Sequence, residues 1–324
     1  MSDSEEEKPI GWELDEQISQ EAARWTPNAA DGVDARLKGI ACGFIATIPS
    51  PFPELDRLVQ PTLPGSITLL CGDPGSSKSL LTIQLFGYLI RANIHADLYE
   101  LESDRTYHAM RYLAQRSGVA PITRIDWTQQ NPDHAKAIID NYRGEVAALG
   151  EHLFDCIDGD IGYRGLLAWV KQRCEAGARL IGIDPITVAD PEGPPWVADR
   201  QFIAALGKIL RHHGCAAWIV THPKKGKSNA PSFDDLAGGA AWARFTNAVL
   251  WLKRPNEPEM VKLACGSIVA CNRTLRVVKA RDGVVSGVDF AVDFSNTALT
   301  FSELGLVKER LDCSVPEQDV NPFM

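Results

Sequence analysis

Residues 72–79 combine side chains and spacing that suit the binding of nucleotide phosphates. They follow an apolar run over residues 67–71, which predicts a strand, and precede leucines and isoleucines at helical spacing. In such a loop the backbone N–H groups point at the phosphates, a lysine reaches the β and γ oxygens, and the next hydroxyl holds Mg²⁺. The loop therefore predicts a nucleoside triphosphate and magnesium as ligands. Its residues are Gly72, Asp73, Pro74, Gly75, Ser76, Ser77, Lys78 and Ser79.

One position of this loop departs from the usual pattern. The residue before the lysine is ordinarily glycine, whereas this chain has Ser77. Glycine makes close backbone approach to a phosphate easy, and a Cβ at this point crowds the ligand. A chance match in an ordinary turn is therefore an alternative for the loop taken alone.

Two carboxylates end predicted strands and suit the chemistry of such a site. Glu102 follows an apolar strand over residues 96–101, and Asp184 ends an apolar run that starts at residue 179. The carboxyl ends of parallel strands share one edge of the sheet, where Asp184 would hold the magnesium shell and Glu102 would orient an attacking water. Each also has a structural alternative, Asp184 as a turn cap and Glu102 as an acid at a helix N-terminus.

A further polar strand end and a basic loop follow later in the chain. Thr221 and His222 come directly after an apolar run over residues 215–220, where they would sense the γ-phosphate. The next segment is basic and contains glycine, as in loops that follow a nucleic-acid backbone. A solvated strand end and a solvated loop are the alternatives. The cations of this loop are Lys224, Lys225 and Lys227.

The elements that would position these side chains alternate between strand and helix. Asp104 is placed to cap a helix that ends at Gly118, and Gly177 and Gly214 end two later helical patterns. Alternation of this kind implies parallel strands with right-handed crossovers. The segments after residue 247 predict successive strands, with a hairpin signal at residues 282–283. The predicted helices cover residues 80–90, 104–118, 135–149, 163–175 and 199–213, and the predicted strands cover 67–71, 96–101, 152–157, 179–184, 215–220, 247–252, 274–279 and 288–294.

Length and charge define the class of protein but not its partner. The 324 residues suffice for one large α/β core. Residues 1–60 hold 12 acidic and 5 basic side chains, so most of the net charge of −9 lies there. The remainder is nearly neutral, and local field rather than total charge governs steering, so a nucleic-acid partner is not excluded.

The ends of the chain and its cysteines indicate a cytoplasmic protein. No run of about 18 apolar residues occurs, and the acidic start is the opposite of a signal peptide, so we expect no membrane partner. The 8 cysteines include no C-x-x-C pair, which predicts reduced core residues rather than a zinc site. The first 35 residues predict an acidic flexible tail with a short helix near residues 13–24.

Over residues 52–305 these motifs together resemble the RecA-like ATPases, specifically the hexameric helicases of the DnaB and plasmid RepA types. The order and spacing of the motifs carry the resemblance more than any single one. Besides the phosphate loop, the matching segments are residues 63–66, 98–103, 180–184, 219–222, 235–241 and 247–252, and the K-x-R-x-G pattern over residues 279–283.

The resemblance implies a fold and a division into domains. The fold would be RecA-like and three-layered, with a mostly parallel central sheet and a C-terminal antiparallel hairpin extension. The ATPase domain would cover residues 36–305, between the acidic tail of residues 1–35 and a C-terminal tail of residues 306–324.

The resemblance also implies roles for residues. ATP would be the nucleotide, with Ser79 and Asp184 on magnesium and Glu102 polarising water. Arg281, with Lys279, would reach the γ-phosphate of a neighbouring subunit in a ring, most simply a hexamer, and Arg244 is a second candidate for this role. The structural alternative for Lys279 and Arg281 is an ordinary cationic hairpin edge that discourages aggregation. Loops over residues 187–198 and 222–238 would contact single-stranded DNA in a central pore.

Three functions remain open at this stage. The first is an ATP-driven helicase or translocase that acts on single-stranded DNA in replication or in the maintenance of a mobile element. The second is a DNA-binding regulator that uses the nucleotide as a switch with little turnover, for which Ser77 is the motive. The third, a small-molecule kinase, fits less well because the chain has no arginine-rich lid segment.

Overall fold

The computed structural model describes residues 29–43, 45–155, 161–224, 236 and 240–311. The short helix predicted near residues 13–24 lies outside the described residues. So do Lys225, Lys227 and the last part of the chain, from residue 312.

One mixed sheet of 11 strands organises the described residues. Its strand order is β3-β2-β4-β5-β1-β6-β9-β10-β11-β7-β8. The first six strands in this order run parallel to one another, and β9 pairs antiparallel with β6 and starts an antiparallel extension. The strands are β1 (Ile67–Gly72), β2 (Ala96–Glu100), β3 (Leu153–Asp155), β4 (Leu180–Asp184), β5 (Ala216–Val220), β6 (Ala248–Lys253), β7 (Glu259–Leu263), β8 (Ile268–Cys271), β9 (Arg273–Ala280), β10 (Asp289–Ser295) and β11 (Thr300–Arg310).

Helices cover both faces of the parallel part of the sheet. Side chains of α2, α3, α4 and α6 pack into the core on one face, and those of α7, α8 and α9 pack into the core on the other. The central strands are apolar throughout because both of their faces are buried. The helices are α1 (Ala29–Ala41), α2 (Pro53–Val59), α3 (Lys78–Arg91), α4 (Arg105–Ser117), α5 (Ile125–Gln130), α6 (Pro132–Gly150), α7 (Tyr163–Glu175), α8 (Pro195–His213) and α9 (Ala240–Phe245).

Local signals in the sequence place both ends of α4 and the C-terminal end of α8 correctly, whereas α6 and α8 begin three and four residues earlier than predicted. The Asp104 side chain accepts a 2.8 Å hydrogen bond from the backbone N–H of Tyr107, which caps α4. Gly118 and Gly214 follow α4 and α8 in the left-handed conformation that glycine adopts without strain. The predicted α/β class, with a parallel core and antiparallel C-terminal strands, is confirmed.

Several predicted boundaries differ from the structure. Strand β2 ends at Glu100, so Glu102 lies in the following loop. Strand β11 continues to Arg310 and pairs with β7, so the predicted tail from residue 306 begins inside a strand. The predicted tail of residues 1–35 likewise overlaps α1.

Helix α1 has no buried residue, although its apolar side chains are regularly spaced. Val33, Leu37 and Ile40 lie on one stripe at helical spacing and are 58%, 60% and 48% exposed. The described part of the chain therefore leaves this stripe uncovered.

Candidate nucleotide-binding site

The phosphate loop lies where the sequence predicts it, between β1 and the N-terminus of α3. Lys78 is the first residue of α3, and its Nζ donates to the backbone oxygen of Gly72 at 3.1 Å. At Gly72 a Cβ would lie 2.3 Å from the backbone oxygen of Leu252 on β6, so glycine is required by the neighbouring strand. The loop thus directs a helix N-terminus and a lysine into one place, an arrangement that favours an anion.

Ser77 has a left-handed backbone conformation, which explains why glycine usually occupies this position of the phosphate loop. Its φ is +74° and its ψ is +36°, in the left-handed region. A residue with a side chain costs about 1–2 kcal/mol there relative to the right-handed helix. Ser77 therefore keeps the usual geometry of the loop but is in a strained backbone conformation.

Strand β6 and the residue after it anchor the loop through contacts that the sequence analysis missed. Trp251 Nε1 donates to Asp73 Oδ1 at 3.2 Å, and the backbone N–H of Arg254 donates to Asp73 Oδ2 at 3.3 Å. The Arg254 guanidinium also donates to the backbone oxygen of Gly75 at 3.4 Å. These partners are far from the loop in sequence, so no local signal could identify them.

A cleft of about 310 Å³ opens in front of the loop and collects seven of the predicted site residues. It brings together the lysine of the loop, both predicted carboxylates and one of the two polar residues after β5. Its walls are formed by Gly75, Ser77, Lys78, Ser79, Leu80, Glu100, Glu102, Ser103, Tyr107, His108, Arg111, Asp184, Pro185, Val220 and His222.

Asp184 is one of two buried acids in this cleft. It ends β4, and burial together with the nearby Glu100 carboxylate raises its pKa to about 8, against a lowering by the Ser79 side chain. Burial lowers the pKa of Lys78, and Asp184 partly offsets this. A buried carboxylate next to a serine hydroxyl and a lysine matches the ligand set of a magnesium nucleotide. One Asp184 oxygen, Oδ2, has no hydrogen-bond partner, which fits a role as a cation ligand.

Glu100 and His108 form a second buried pair in the cleft, which the sequence analysis missed. Glu100 and His108 are 2% and 3% exposed, and His108 Nε2 lies 3.0 Å from Glu100 Oε2. Burial raises the pKa of Glu100 well above its ordinary value and lowers the pKa of His108 to about 4. The available signal was a glutamate at the end of an apolar strand, two residues before Glu102.

Helix α4 contributes a cation to the outer wall of the cleft. The Arg111 guanidinium stacks 3.3 Å from the centre of the Tyr107 ring and donates to the Tyr107 hydroxyl. Glu102, in the loop before this helix, is exposed. The outer wall of the cleft therefore has the exposed Glu102 and the Arg111 that stacks on Tyr107.

The two polar residues after β5 have different surroundings. His222 lines the cleft, and its Nδ1 lies 2.9 Å from Thr187 Oγ1. Burial and the positive charge of Lys78 lower the pKa of His222. Thr221 is 2% exposed and does not line the cleft, so only His222 is placed to face a ligand.

The predicted cross-subunit cations lie at the opposite edge of the sheet from the phosphate loop. Lys279 Nζ donates to the backbone oxygen of Thr246 at 2.7 Å, and the Arg281 guanidinium donates to that of Arg244 at 3.0 Å. Both contacts lie next to Asn247, whose backbone N–H donates to Ile67, the first residue of β1. The phosphate loop follows the last residue of β1, at the other end of the strand. The length of β1 therefore separates them from their own site by about 16–20 Å.

The hairpin glycine of the K-x-R-x-G pattern has a packing role. A Cβ on Gly283 would lie 2.6 Å from the backbone oxygen of Leu58 in α2. The pattern thus keeps the loop with Arg281 close against α2.

In the basic loop, Lys224 is exposed.

These elements together define a P-loop nucleotide-binding fold. A parallel sheet carries a glycine-containing loop at a helix N-terminus, and buried acids lie at the same sheet edge. Among the described residues, no helix has the length and apolarity needed to cross a bilayer.

Comparisons with known proteins define the fold more closely. A solved ATPase domain matches with a TM-score of 0.67 at 15% identity, over 86% of this chain and 100% of that domain. A DnaB-like replicative helicase, solved in work on its interactions with primase, matches with a TM-score of 0.67 at 15% identity, over 89% and 70% of the two chains. The chain therefore has the RecA-like fold of DnaB-type helicase domains, and the resemblance predicted from the motifs is confirmed at the level of the fold.

Sequence comparison gives a further relative. A stretch of 200 residues, 58% of this chain, is 26% identical to the Twinkle homolog protein, chloroplastic/mitochondrial, of Arabidopsis thaliana. The match covers 27% of that protein, so the chain spans about a quarter of the length of the curated relative it matches. No protein-family model matches the chain.

Proposed function

We propose that this chain is an ATP-binding and ATP-hydrolysing motor of the RecA-like class, a helicase or translocase that acts on single-stranded DNA within a ring of copies, most simply a hexamer. The observation that carries the proposal is the cleft at the carboxyl edge of the sheet. It presents Lys78, Ser79 and Asp184 in a fold shared with helicase ATPase domains.

In this proposal each residue of the cleft has a defined role. Lys78 binds the β and γ phosphates, and Ser79 and Asp184 hold Mg²⁺, which neutralises charge on the phosphates when bound. Glu102, exposed at the mouth, orients the attacking water. His222 faces the γ-phosphate and passes its state to the loop that follows β5.

The opposite positions of Arg281 and the phosphate loop support completion of the site by a neighbouring copy. An arginine finger contributes about 10³–10⁵ in rate, and Arg281 cannot reach its own site without unpairing β9 from β6. The uncovered stripe of Val33, Leu37 and Ile40 on α1 is a second feature that supports self-association.

Single-stranded DNA is the proposed track, and the loop after β5 supports it. Lys224 is exposed at the start of this loop, and Lys225 and Lys227 follow in the sequence. A cluster of lysines on a glycine-containing loop suits a phosphate backbone. The location after β5 links these lysines to His222 and so to the nucleotide.

ATP hydrolysis measured with and without single-stranded DNA tests this proposal. We expect several-fold stimulation by DNA in the wild type and loss of hydrolysis in Lys78→Ala. Specific activity should fall steeply when the protein is diluted below the concentration at which it self-associates. A sample that light scattering shows to be monomeric, yet is fully active, would contradict the ring.

DNA contact has a separate measurement. Replacing Lys224, Lys225 and Lys227 with alanine should make the slope of log DNA affinity against log salt concentration shallower, by up to about 0.7 per lost contact. Asp140→Asn, a distant surface change that also alters charge, is the matched control and should leave the slope as it is. An unchanged slope in the triple variant would remove this loop from the interface.

A nucleotide-gated DNA-binding regulator is the second candidate function, and the strain at Ser77 favours it. A strained loop with a side chain at this position is tolerated where fast turnover is not required. DNA affinity that changes with bound nucleotide, in the absence of measurable hydrolysis, would select this candidate over the motor.

A further inference from the structure

Two buried carboxylates lie side by side under the phosphate loop. Glu100 on β2 and Asp184 on β4 are register partners in adjacent parallel strands, and each is 2% exposed. Register partners present their side chains on the same face of the sheet, and both of these line the cleft. A single acid at a strand end suffices for a magnesium nucleotide, so the second one calls for an explanation.

Each carboxylate keeps one buried oxygen without a hydrogen-bond partner. These atoms are Glu100 Oε1 and Asp184 Oδ2. An unsatisfied buried acceptor costs about 1–3 kcal/mol, and a charged one costs more. Two such oxygens on neighbouring strands indicate a ligand that accepts oxygen donors from both.

The cations of the cleft act on this pair without filling the two oxygens. The charges of Arg111 and Lys78 favour the ionised forms of Glu100 and Asp184, respectively. The hydrogen bonds of Lys78 Nζ go to the backbone oxygens of Gly72 and Asp73, and the Arg111 guanidinium stacks on the Tyr107 ring. Glu100 Oε1 and Asp184 Oδ2 therefore accept no hydrogen bond from the described residues.

His108 lies beside one oxygen of Glu100. Its Nε2 is 3.0 Å from Glu100 Oε2 but forms no hydrogen bond, and Glu100 Oε1 also has no partner. Oε1 therefore stays open to a cation or to its water shell. Hard oxygen ligands are what Mg²⁺ and its water shell require.

We propose that Glu100 is a positioning residue of the nucleotide site, whose carboxylate joins Asp184 in binding the water shell of the nucleotide-bound Mg²⁺. The inference rests on the proposed function, because it requires a magnesium nucleotide in the cleft. The two neighbouring glutamates then have separate roles, since buried Glu100 serves the cation and exposed Glu102 serves the attacking water.

The test is a magnesium titration of nucleotide binding, followed with a fluorescent ADP analogue. Glu100→Gln keeps the shape of the side chain and removes its charge, so we expect the Mg²⁺ concentration at half-saturation to rise about tenfold. Without Mg²⁺, the variant should bind the analogue at least as tightly as the wild type, because glutamine adds no charge that repels the phosphates. A merely structural role would weaken binding under both conditions.

Matched variants make the result specific. Glu102→Gln changes a glutamate of the same cleft and should stop hydrolysis while the Mg²⁺ half-saturation stays within about twofold of the wild type. Glu100→Asp keeps the charge with a shorter reach and should give an intermediate half-saturation. This variant also supplies the measurement if Glu100→Gln does not fold.

The outcomes separate the inference from the function on which it rests. A wild-type Mg²⁺ half-saturation in Glu100→Gln, or in Glu100→Asp where only that variant folds, would overturn the role of Glu100 and leave the nucleotide site intact. A wild-type protein that binds no analogue, with or without Mg²⁺, would overturn the proposed function itself.

Discussion

Ser77 shows how one residue can keep a motif's geometry while departing from its sequence. Its left-handed φ of +74° is what the usual glycine provides without strain. The half-buried serine side chain also occupies space at the wall of the cleft. The residue therefore affects both the stability of the loop and its fit to phosphate.

We predict that Ser77→Gly stabilises the protein and tightens nucleotide binding. Relief of the left-handed backbone is worth about 1–2 kcal/mol, and the greater freedom of glycine in the unfolded chain takes back about 0.5–1 kcal/mol. Denaturant unfolding should show a net gain of about 0.5–1 kcal/mol, with a lower Kd for the fluorescent ADP analogue. Gly75→Ala is the reverse control, since its φ of +70° should make alanine destabilising. A loss of stability in Ser77→Gly would contradict the strain assigned to this residue.

The buried acids of the cleft make stability depend on pH. The pKa of Asp184 is raised to about 8 from an ordinary value of 3.8, so between these values the folded state holds a proton that the unfolded state has lost. Stability from this group therefore falls as pH rises toward 8. The pKa of His108 is lowered to about 4 from 6.5, so its contribution rises with pH and is complete by about pH 6.5.

Of Asp184 and His108, only Asp184 changes its contribution to stability above pH 6.5. The pH range from about 6.5 to 8 is therefore where the effect of Asp184 can be measured. Without nucleotide, the free energy of unfolding should fall by about 2 kcal/mol between about pH 6.5 and pH 8 for one proton. Asp184→Asn should reduce this slope and leave only the part that comes from Glu100, whose pKa is also raised, whereas the exposed control Asp140→Asn should keep the full slope. A flat wild-type profile over this window would contradict the raised pKa.

At the scale of elements, one buried aspartate joins three pieces of the fold. Asp97 on β2 is fully buried and accepts from Arg173 Nε of α7 at 2.7 Å. His152, just before β3, and His95, just before β2, contact its two oxygens at 2.7 and 2.9 Å. The cluster lies at the amino edge of the sheet, opposite the cleft, and holds the edge strand β3 in place.

We predict that Asp97→Asn destabilises the protein by about 3 kcal/mol, because it leaves Arg173 without the charge it pairs with in a buried setting. Denaturant unfolding gives the value directly. Asp140→Asn removes a carboxylate that also has two cationic partners, Lys136 and Arg143, but on the surface, and should cost less than about 1 kcal/mol. Equal losses of unfolding free energy in the two variants would show that burial does not strengthen the Asp97 cluster.

Local patterns predicted the elements that depend on near neighbours and missed those that depend on pairing. The apolar runs of β1, β4 and β5 and the caps at Asp104 and Gly118 are signals within a few residues. Strands β7 and β8 were missed because they are short and only partly buried, and β8 is the last strand of the sheet. Strand β11 was missed for a related reason, since it contains a glycine and a bulge opposite β10.

The same division holds for the site. Lys78, Ser79 and Asp184 follow from a loop motif and a strand end, and the cleft collects all three. Glu100, His108 and Arg254 become visible only when separate strands and helices are brought together. The sequence alone has no signal for a register pair such as Glu100 and Asp184, which are far apart along the chain.

At the scale of the whole molecule, the two halves of the proposed catalytic machinery lie at opposite edges of one sheet. The phosphate loop follows the end of β1, and Arg281 lies beside its beginning. A single copy cannot bring the two together while the β6–β9 pairing is intact. In a head-to-tail ring, every interface would combine the loop of one copy with the arginine of the next.

This geometry predicts that two inactive variants restore activity to each other when mixed. Lys78→Ala lacks a working loop and Arg281→Ala lacks the finger, so each should hydrolyse ATP at least about 10³-fold more slowly than the wild type. In rings formed from an equal mixture, about one interface in four joins an intact loop to an intact finger, and activity should recover toward about a quarter of the wild-type value. Lys78→Ala mixed with Lys78→Ala,Arg281→Ala has no intact loop at any interface and is the matched control. If co-assembly is verified by exchange of a fluorescent label and the mixture stays inactive, Arg281 does not act across the interface, and the ring needs a different finger, for which Arg244 on the same edge is the next residue to change.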